Sequence, residues 1–176
     1  SSEVINIDDG NTQIKTGLKD KDGDLGTAGQ VLSSTGTQVN WVNAPATLGS
    51  RITYTATTAS LANNAAGNVS VVAFKSYALL KIKPSIAAWV VLYVDDASRT
   101  ADASRTQGAD PAPDAGVIAE VVTTAANQEI KMSPGVLGWH QDASNGGVNT
   151  VFCKVVNKSG STGTCTVSLT VVQLEA

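Results

Sequence analysis

The chain has 176 residues and a formal net charge of −3, from 12 Lys and Arg against 15 Asp and Glu. Such a balance argues against nucleic-acid or anionic-membrane binding, because both need clustered Lys and Arg. Charged residues make up 15% and aromatic residues 5%, while Gly, Ala, Ser, Thr and Val are abundant, which favours β-structure over helix. No apolar run approaches the roughly 18–20 residues that cross a bilayer as a helix.

The N-terminal segment has little capacity to fold alone. Residues 1–16 alternate weakly between apolar and polar types, with a turn signal at Asp9-Gly10-Asn11, and we interpret them as an attachment arm or shaft end that needs partner chains. A glycine-punctuated hairpin is predicted over residues 26–42. A hairpin of this size is marginal as a single copy and becomes stable when copies pack together or another domain covers it.

The hairpin sequence GTAGQVLSSTGTQVNWV carries a family resemblance. Its pattern GxxGQVLxSTGTxVxWV resembles an element that recurs in tail-fibre and other appendage proteins of tailed phages, especially marine and cyanobacterial ones. The likeness covers residues 17–43. It implies a homotrimer in which a fibrous shaft joins a C-terminal globular tip. On this basis we predict an oligomer interface at Val31, Leu32, Val39 and Trp41.

The remainder of the chain has the pattern of an all-β domain. Residues 43–49 have the composition of a linker, so we assign residues 1–46 to an oligomerising arm and residues 47–176 to a tip domain. Strands are predicted at 52–56, 68–75, 77–83, 89–94 (fully buried), 118–124, 128–132 and 137–140, with a hairpin over 150–174 and no convincing helix. Short strands with frequent turns predict an antiparallel β-sandwich of jelly-roll-like type.

The strand at 77–83 alternates cleanly, which places Tyr77, Leu79, Lys81 and Lys83 on one side. We interpret the lysines as a solvated face rather than an anion site. Because sugar binding uses exposed aromatic faces, Tyr77 and Trp139 are candidate receptor contacts, while Trp89 begins an apolar strand and is expected in the core.

The two cysteines lie in the predicted C-terminal hairpin. If its strands pair about Ser159, Cys153 faces Cys165 on the apolar side. Two alternatives remain open, a cross-strand disulfide and a pair of buried thiols. We favour the thiols, since free Cys behaves as a small hydrophobe.

Residues 95–116 interrupt the strand pattern. The segment is too long and polar for an ordinary turn, and it repeats Ala97-Ser-Arg-Thr100 as Ala103-Ser-Arg-Thr106. Loops of this length are usually functional or disordered. One interpretation is a receptor-contacting loop, or a clasp over a neighbouring subunit, with Arg99 and Arg105 as candidate contacts. The other is a solvated loop with internal salt bridges.

The residues that catalysis or metal binding would need are sparse. Asp20-Lys-Asp-Gly-Asp24 departs from the EF-hand spacing and fits better a turn capped by its own carboxylates. His140 is the one histidine; its position before a loop makes it a candidate receptor contact, but no nucleophile pattern accompanies it. No Walker, dinucleotide, zinc or nucleophile-elbow motif occurs. We therefore predict no enzyme activity, no cofactor and no metal.

These observations predict a non-enzymatic structural protein of a phage virion, a homotrimeric fibre or appendage subunit. We expect its partners to be other virion proteins and a host-surface glycan, without nucleic acid or membrane insertion. Two alternatives are a capsid decoration or head-fibre protein and a monomeric carbohydrate-binding module. The module predicts an exposed aromatic platform without a trimer.

Overall fold

The computed structural model describes residues 5–8, 11–14, 17–44 and 49–175. The chain divides into two compact units, Ser1–Thr47 and Leu48–Ala176, and each is described by itself. The predicted turn at Asp9-Gly10-Asn11 and most of the predicted linker lie outside the described residues. Within the described part of the chain, no helix is long and apolar enough to span a membrane.

The N-terminal unit consists of two antiparallel hairpins. Strand β1 (Ile5–Asp8) pairs with β2 (Asn11–Ile14), and β3 (Gln30–Ser34) pairs with β4 (Val39–Asn43). The turn between β3 and β4 contains Gly36 at φ +93°, a backbone conformation that glycine adopts without steric cost. The predicted hairpin thus forms at the residues that carry the family resemblance.

The Asp20–Asp24 segment is a turn capped by a carboxylate. One oxygen of Asp20 accepts the backbone N–H groups of Asp22 (2.9 Å) and Asp24 (3.3 Å), and the other accepts the backbone N–H of Trp41 on β4 (3.0 Å). Burial would raise the pKa of Asp20, but these backbone donors outweigh it and the pKa is lowered. The charged carboxylate of Asp20 therefore links its turn to the hairpin β3–β4 through hydrogen bonds.

The C-terminal unit is a sandwich of two four-stranded antiparallel sheets. Its strands are β5 (Ile52–Thr57), β6 (Ala66–Val72), β7 (Ser76–Pro84), β8 (Ala88–Tyr93), β9 (Val117–Val122), β10 (Ile130–Trp139), β11 (Thr150–Asn157) and β12 (Thr166–Glu175). The strand orders are β10-β7-β12-β5 and β6-β11-β8-β9. Successive pairs are nested, β8 with β9, β7 with β10, β6 with β11 and β5 with β12, which is the arrangement of a jelly roll. The predicted all-β sandwich is confirmed.

The core lies between the inner faces of the two sheets. Its fully buried members include Val71, Leu79, Ile82, Val90, Leu92, Val151, Cys153, Val155, Val167, Leu169 and Val171. All six residues of β8 are buried, as its continuous apolar run predicts. Burial of these side chains from both sheets stabilises the C-terminal unit.

The prediction that residues 150–174 form a hairpin is wrong. Strand β11 lies between β6 and β8, whereas β12 lies between β7 and β5 in the opposite sheet. The connection between them therefore crosses the sandwich, and each strand finds its backbone partners far away in sequence. Cys153 and Cys165 are both buried free thiols, one contributed from each side of the core.

Two further differences come from irregular strand pairing. The predicted strands at 128–132 and 137–140 are one strand, β10, whose register with β7 shifts between Lys131 and Val136. In β7 the pairing skips Leu80, because Lys81 pairs with Thr170 and Leu79 with Val171. Tyr77 and Leu79 consequently face the core, while Lys81 and Lys83 face outward, although strict alternation had placed all four on one side.

Segment 95–116 contains the one helix among the described residues, α1 (Asp96–Ala101). Its N-cap is Asp95, whose carboxylate accepts the backbone N–H of Ser98 at 2.7 Å, and this satisfies one of the donors that a helix start leaves free. The expectation that the chain has no helix is wrong here, because the helix is too short for hydrophobic periodicity to reveal it.

Candidate functional site

Two predicted receptor contacts, Tyr77 and His140, form a closed pair in the interior. Both side chains are buried, so their predicted accessibility is wrong. Tyr77 Oη lies 2.8 Å from His140 Nε2, and His140 Nδ1 lies 3.1 Å from the backbone oxygen of Tyr93. Since a carbonyl only accepts, Nδ1–H donates to Tyr93 and Nε2 accepts the Tyr77 hydroxyl proton. The histidine thereby links β7 to the end of β8.

Burial also controls the ionisation of this pair. Desolvation lowers the pKa of His140 to about 4, against smaller opposing contributions from backbone hydrogen bonds, and it raises the pKa of Tyr77. Both groups are therefore neutral at pH 7. A neutral imidazole with both nitrogens engaged inside the fold supports a structural role for His140.

Gly138 on β10 gives the Tyr77 ring its space, and we expect Gly138→Ala to destabilise the protein by about 1–3 kcal/mol. A Cβ at this position would lie 2.6 Å from Tyr77 Cζ, and the buried ring has no free volume into which to move. Gly135→Ala on the same strand is the matched control, since its Cβ would meet neighbours only at 3.4 Å. Urea denaturation measures both variants. Equal stabilities would contradict the close packing described for Gly138.

The other two predicted contacts in segment 95–116 are also drawn into the protein. This segment covers the outer face of sheet β6-β11-β8-β9, where Trp89, Val91, Tyr93 and Val156 form a second buried apolar cluster. Arg99 donates to Asp96 at 2.6 Å and to the backbone oxygens of Val69 (3.2 Å) and Cys153 (3.4 Å). The segment is therefore fastened to its own sheet.

Arg105 belongs to a charged network that we call the Asp102 cluster, consisting of Tyr93, Asp102, Arg105, Glu120 and Lys154, in which all side chains except that of Glu120 are buried. Asp102 accepts the Tyr93 hydroxyl at 2.6 Å and Arg105 Nε at 2.8 Å, and Lys154 Nζ donates to the Asp102 backbone oxygen at 2.6 Å. Arg105 Nη1 also donates to Glu120 at 2.7 Å. Assignment of Arg99 and Arg105 as exposed contacts is wrong, because local spacing does not reveal these distant acceptors.

The ionisation of the Asp102 cluster follows from its contacts. Burial alone would raise the pKa of Asp102, but hydrogen bonds from Tyr93 and Arg105 and the positive charge of Lys154 outweigh it, so the pKa is lowered. The cations also lie against the Trp89 ring, with Lys154 Nζ 4.7 Å and Arg105 Cζ 5.0 Å from its centroid. The Asp102 cluster therefore joins segment 95–116, through Asp102 and Arg105, to charged and aromatic side chains of the sheet that the segment covers.

Trp139 is the one predicted receptor contact whose side chain is open to solvent. Its side chain is 50% exposed, and Leu137, two residues earlier on the same outward side of β10, is 70% exposed. Register places Leu137 beside Ala78 and Val172 on the next two strands. These residues make an apolar end on the outer face of sheet β10-β7-β12-β5.

The predicted oligomer-interface residues divide between exposed and partly buried positions. Val31 is 42% exposed and Val39 41% exposed, whereas Leu32 and Trp41, which pair across the hairpin, are partly buried. The Trp41 indole N–H donates to the Leu18 backbone oxygen at 3.0 Å, and its ring packs against Gly26. Trp41 thus already supports the hairpin within one chain.

No protein-family model matches the chain, and comparison with curated proteins gives no match. Two surfaces of the described residues carry exposed side chains, the hairpin β3–β4 and the outer face of sheet β10-β7-β12-β5.

Proposed function

We propose that this protein is a non-enzymatic structural subunit of a phage virion, a homotrimeric fibre or appendage subunit whose jelly roll serves as a host-attachment tip. The supporting observation is the hairpin β3–β4, which carries the phage-appendage resemblance and leaves Val31 and Val39 substantially exposed in a single chain. Exposed apolar residues on so small a unit are typical of an interaction surface.

The two units differ in how completely they bury their side chains. The jelly roll has a continuous core with fully buried side chains from both sheets, whereas Asp20 is the only buried residue among residues 17–44. Pairing of β3 with β4 places the exposed residues Val31 and Val42 on one face of the hairpin, and three copies packed about a common axis would remove this face from water. Assembly is accordingly assigned to the N-terminal unit and attachment to the jelly roll.

An attachment role agrees with the exposed indole of Trp139, since an exposed aromatic ring can stack on a sugar ring. A single contact of this kind is weak. Three tips on one fibre convert later binding events into intramolecular ones, which raises avidity without new contacts. Trimerisation and glycan binding are therefore parts of one proposed function.

We expect the intact chain to have the mass of a trimer by light scattering. We expect Val31→Asp/Val42→Asp, whose two exposed positions pair across the hairpin and point to the same face, to have the mass of a monomer. Charges at both positions would be desolvated in the proposed interface, which is strongly unfavourable. Val72→Asp is the matched control, because Val72 is exposed on the jelly roll and should leave the trimer intact.

A monomeric intact chain at micromolar concentration would contradict the homotrimer. A double variant that remains trimeric would contradict the hairpin as the interface and place the contact elsewhere.

The exposed pair Leu137 and Trp139 also favours a second candidate, a monomeric carbohydrate-binding module. Under this alternative the intact chain is a monomer, and Trp139→Ala abolishes glycan binding without any loss of avidity. A capsid decoration or head-fibre protein would share the trimer and differ in its position on the particle, which immuno-electron microscopy of virions distinguishes.

A further inference from the structure

The outer face of sheet β10-β7-β12-β5 changes character along its strands. Away from Leu137 and Trp139, pairing aligns Thr53, Thr170, Lys81 and Lys131 in one row across all four strands. Directly paired residues of an antiparallel sheet point to the same side. A second row contains Thr55, Ser168 and Lys83. We call this surface the basic face, made of Arg51, Thr53, Thr55, Lys81, Lys83, Glu129, Lys131, Ser168 and Thr170.

The basic face has a charge opposite to that of the chain. Its four cations, Arg51, Lys81, Lys83 and Lys131, stand against one carboxylate, Glu129. The face therefore carries +3, while the whole chain carries −3 and the remainder −6. Such segregation creates a local positive potential that the net charge conceals.

Most of this positive charge has no ion-pair partner among the described residues. Lys81 Nζ lies 3.1 Å from Glu129 Oε1, but Arg51, Lys83 and Lys131 form no ion pair with any described residue. Lys81 and Lys131 lie directly opposite each other on neighbouring strands, and like charges so placed destabilise a sheet. A bound anion would relieve this repulsion.

The shape and remaining side chains suit a hydroxylated ligand. A groove of about 450 Å³ is lined by Arg51, Thr53, Lys81, Lys83, Glu129, Ser168 and Thr170. Thr53 Oγ1 and Thr170 Oγ1 lie 2.9 Å apart. Each hydroxyl can both donate and accept, so the row offers hydrogen bonds to sugar hydroxyls beside the cations that would hold an anionic substituent.

We propose that the basic face binds an acidic polysaccharide, one that carries carboxylate, sulfate or phosphate groups along its chain. The groove is lined by hydroxyl and charged side chains with no aromatic ring, and single-stranded nucleic acids bind mainly through aromatic stacking. The rows of hydroxyl side chains and the small number of cations on the basic face therefore favour a glycan over a nucleic acid as the ligand. This inference rests on the proposed attachment function for its biological role and specifies the class of glycan.

The test measures binding by calorimetry of the full chain to dextran sulfate, polygalacturonate and neutral dextran at 50 mM and 300 mM NaCl. We expect binding to at least one acidic polymer, weakened by salt, and none to neutral dextran. The two acidic polymers distinguish sulfate from carboxylate recognition. Lys83→Gln/Lys131→Gln should weaken binding roughly tenfold, because it removes two of the four cations of the basic face.

The matched control is Lys75→Gln/Lys158→Gln, which removes the same charge outside the basic face and should retain binding. Equal weakening by both double variants would overturn the inference, as would failure to bind either acidic polymer or tighter binding to an oligothymidine of matched charge. Failure of the two proposals is distinguishable. A monomer that binds through the basic face contradicts the trimer alone, and a trimer that ignores acidic polymers contradicts this inference alone.

Discussion

Asp102→Asn should lower the free energy of unfolding by about 3–5 kcal/mol, the largest effect that we expect from a single substitution. Asp102 is the central anion of the Asp102 cluster, within hydrogen-bond distance of Arg105 and Tyr93 and 3.5 Å from Lys154 Nζ. Asn keeps the shape but removes the charge, so Lys154, which is buried, loses its carboxylate partner. Urea denaturation at pH 7 measures the loss.

Two further variants show whether the loss comes from buried charge. Glu129→Gln removes the carboxylate that pairs with Lys81, but the Lys81 and Glu129 side chains are 34% and 37% exposed and the change should cost less than about 1 kcal/mol. Asp102→Asn/Lys154→Met removes the stranded cation as well and should recover part of the stability, because an apolar side chain replaces a buried charge. If Asp102→Asn is no more costly than Glu129→Gln, the cluster does not stabilise the fold as described.

The second large effect is a loss of stability in mild acid that arises from His140. Its folded-state pKa of about 4 lies below the unfolded value of about 6.5. Between these values the unfolded chain binds a proton that the folded chain does not, so stability falls as pH decreases from 6.5 towards 4. From pH 7 to pH 5 we expect a loss of about 2 kcal/mol from this group.

Because His140 is the only histidine, its ionisation is read directly from imidazole resonances by NMR. We expect no protonation of His140 in the folded protein above about pH 5. His140→Gln should reduce the dependence of unfolding free energy on pH between 7 and 5, since an amide retains a donor and an acceptor but does not titrate. A folded-state pKa near 6.5 would show that the Tyr77–His140 pair is open to water and would contradict the closed arrangement.

The structure moves the proposed attachment site from a loop to a sheet. Segment 95–116 has its arginines buried against its own sheet, whereas the outer face of β10-β7-β12-β5 presents exposed side chains. The outer side of this sheet has Trp139 at one end and the basic face at the other end. Side chains on a regular sheet are held at fixed spacing, and that rigidity favours recognition of an extended polymer.

Several elements of this protein follow from local sequence. The continuous apolar run of β8, the alternation of β5 and the glycine-containing turn of β3–β4 all appear in the structure where the pattern predicts them. Periodicity and turn chemistry depend on neighbouring residues. The all-β class, the sandwich and most strand positions were therefore predictable without coordinates.

Exposure and strand partnership were decided only by the tertiary structure. The pairing of β7 with β12 skips one residue, Leu80, so that Tyr77 faces the core while Lys81 faces outward. This happens because a shift of one residue reverses the side to which every later side chain points. Arg105 was buried by Asp102 and Glu120, and β11 and β12 paired with distant strands in preference to each other. Local sequence determined which segments became strands, while contacts between residues far apart in the chain determined which side chains reached the surface.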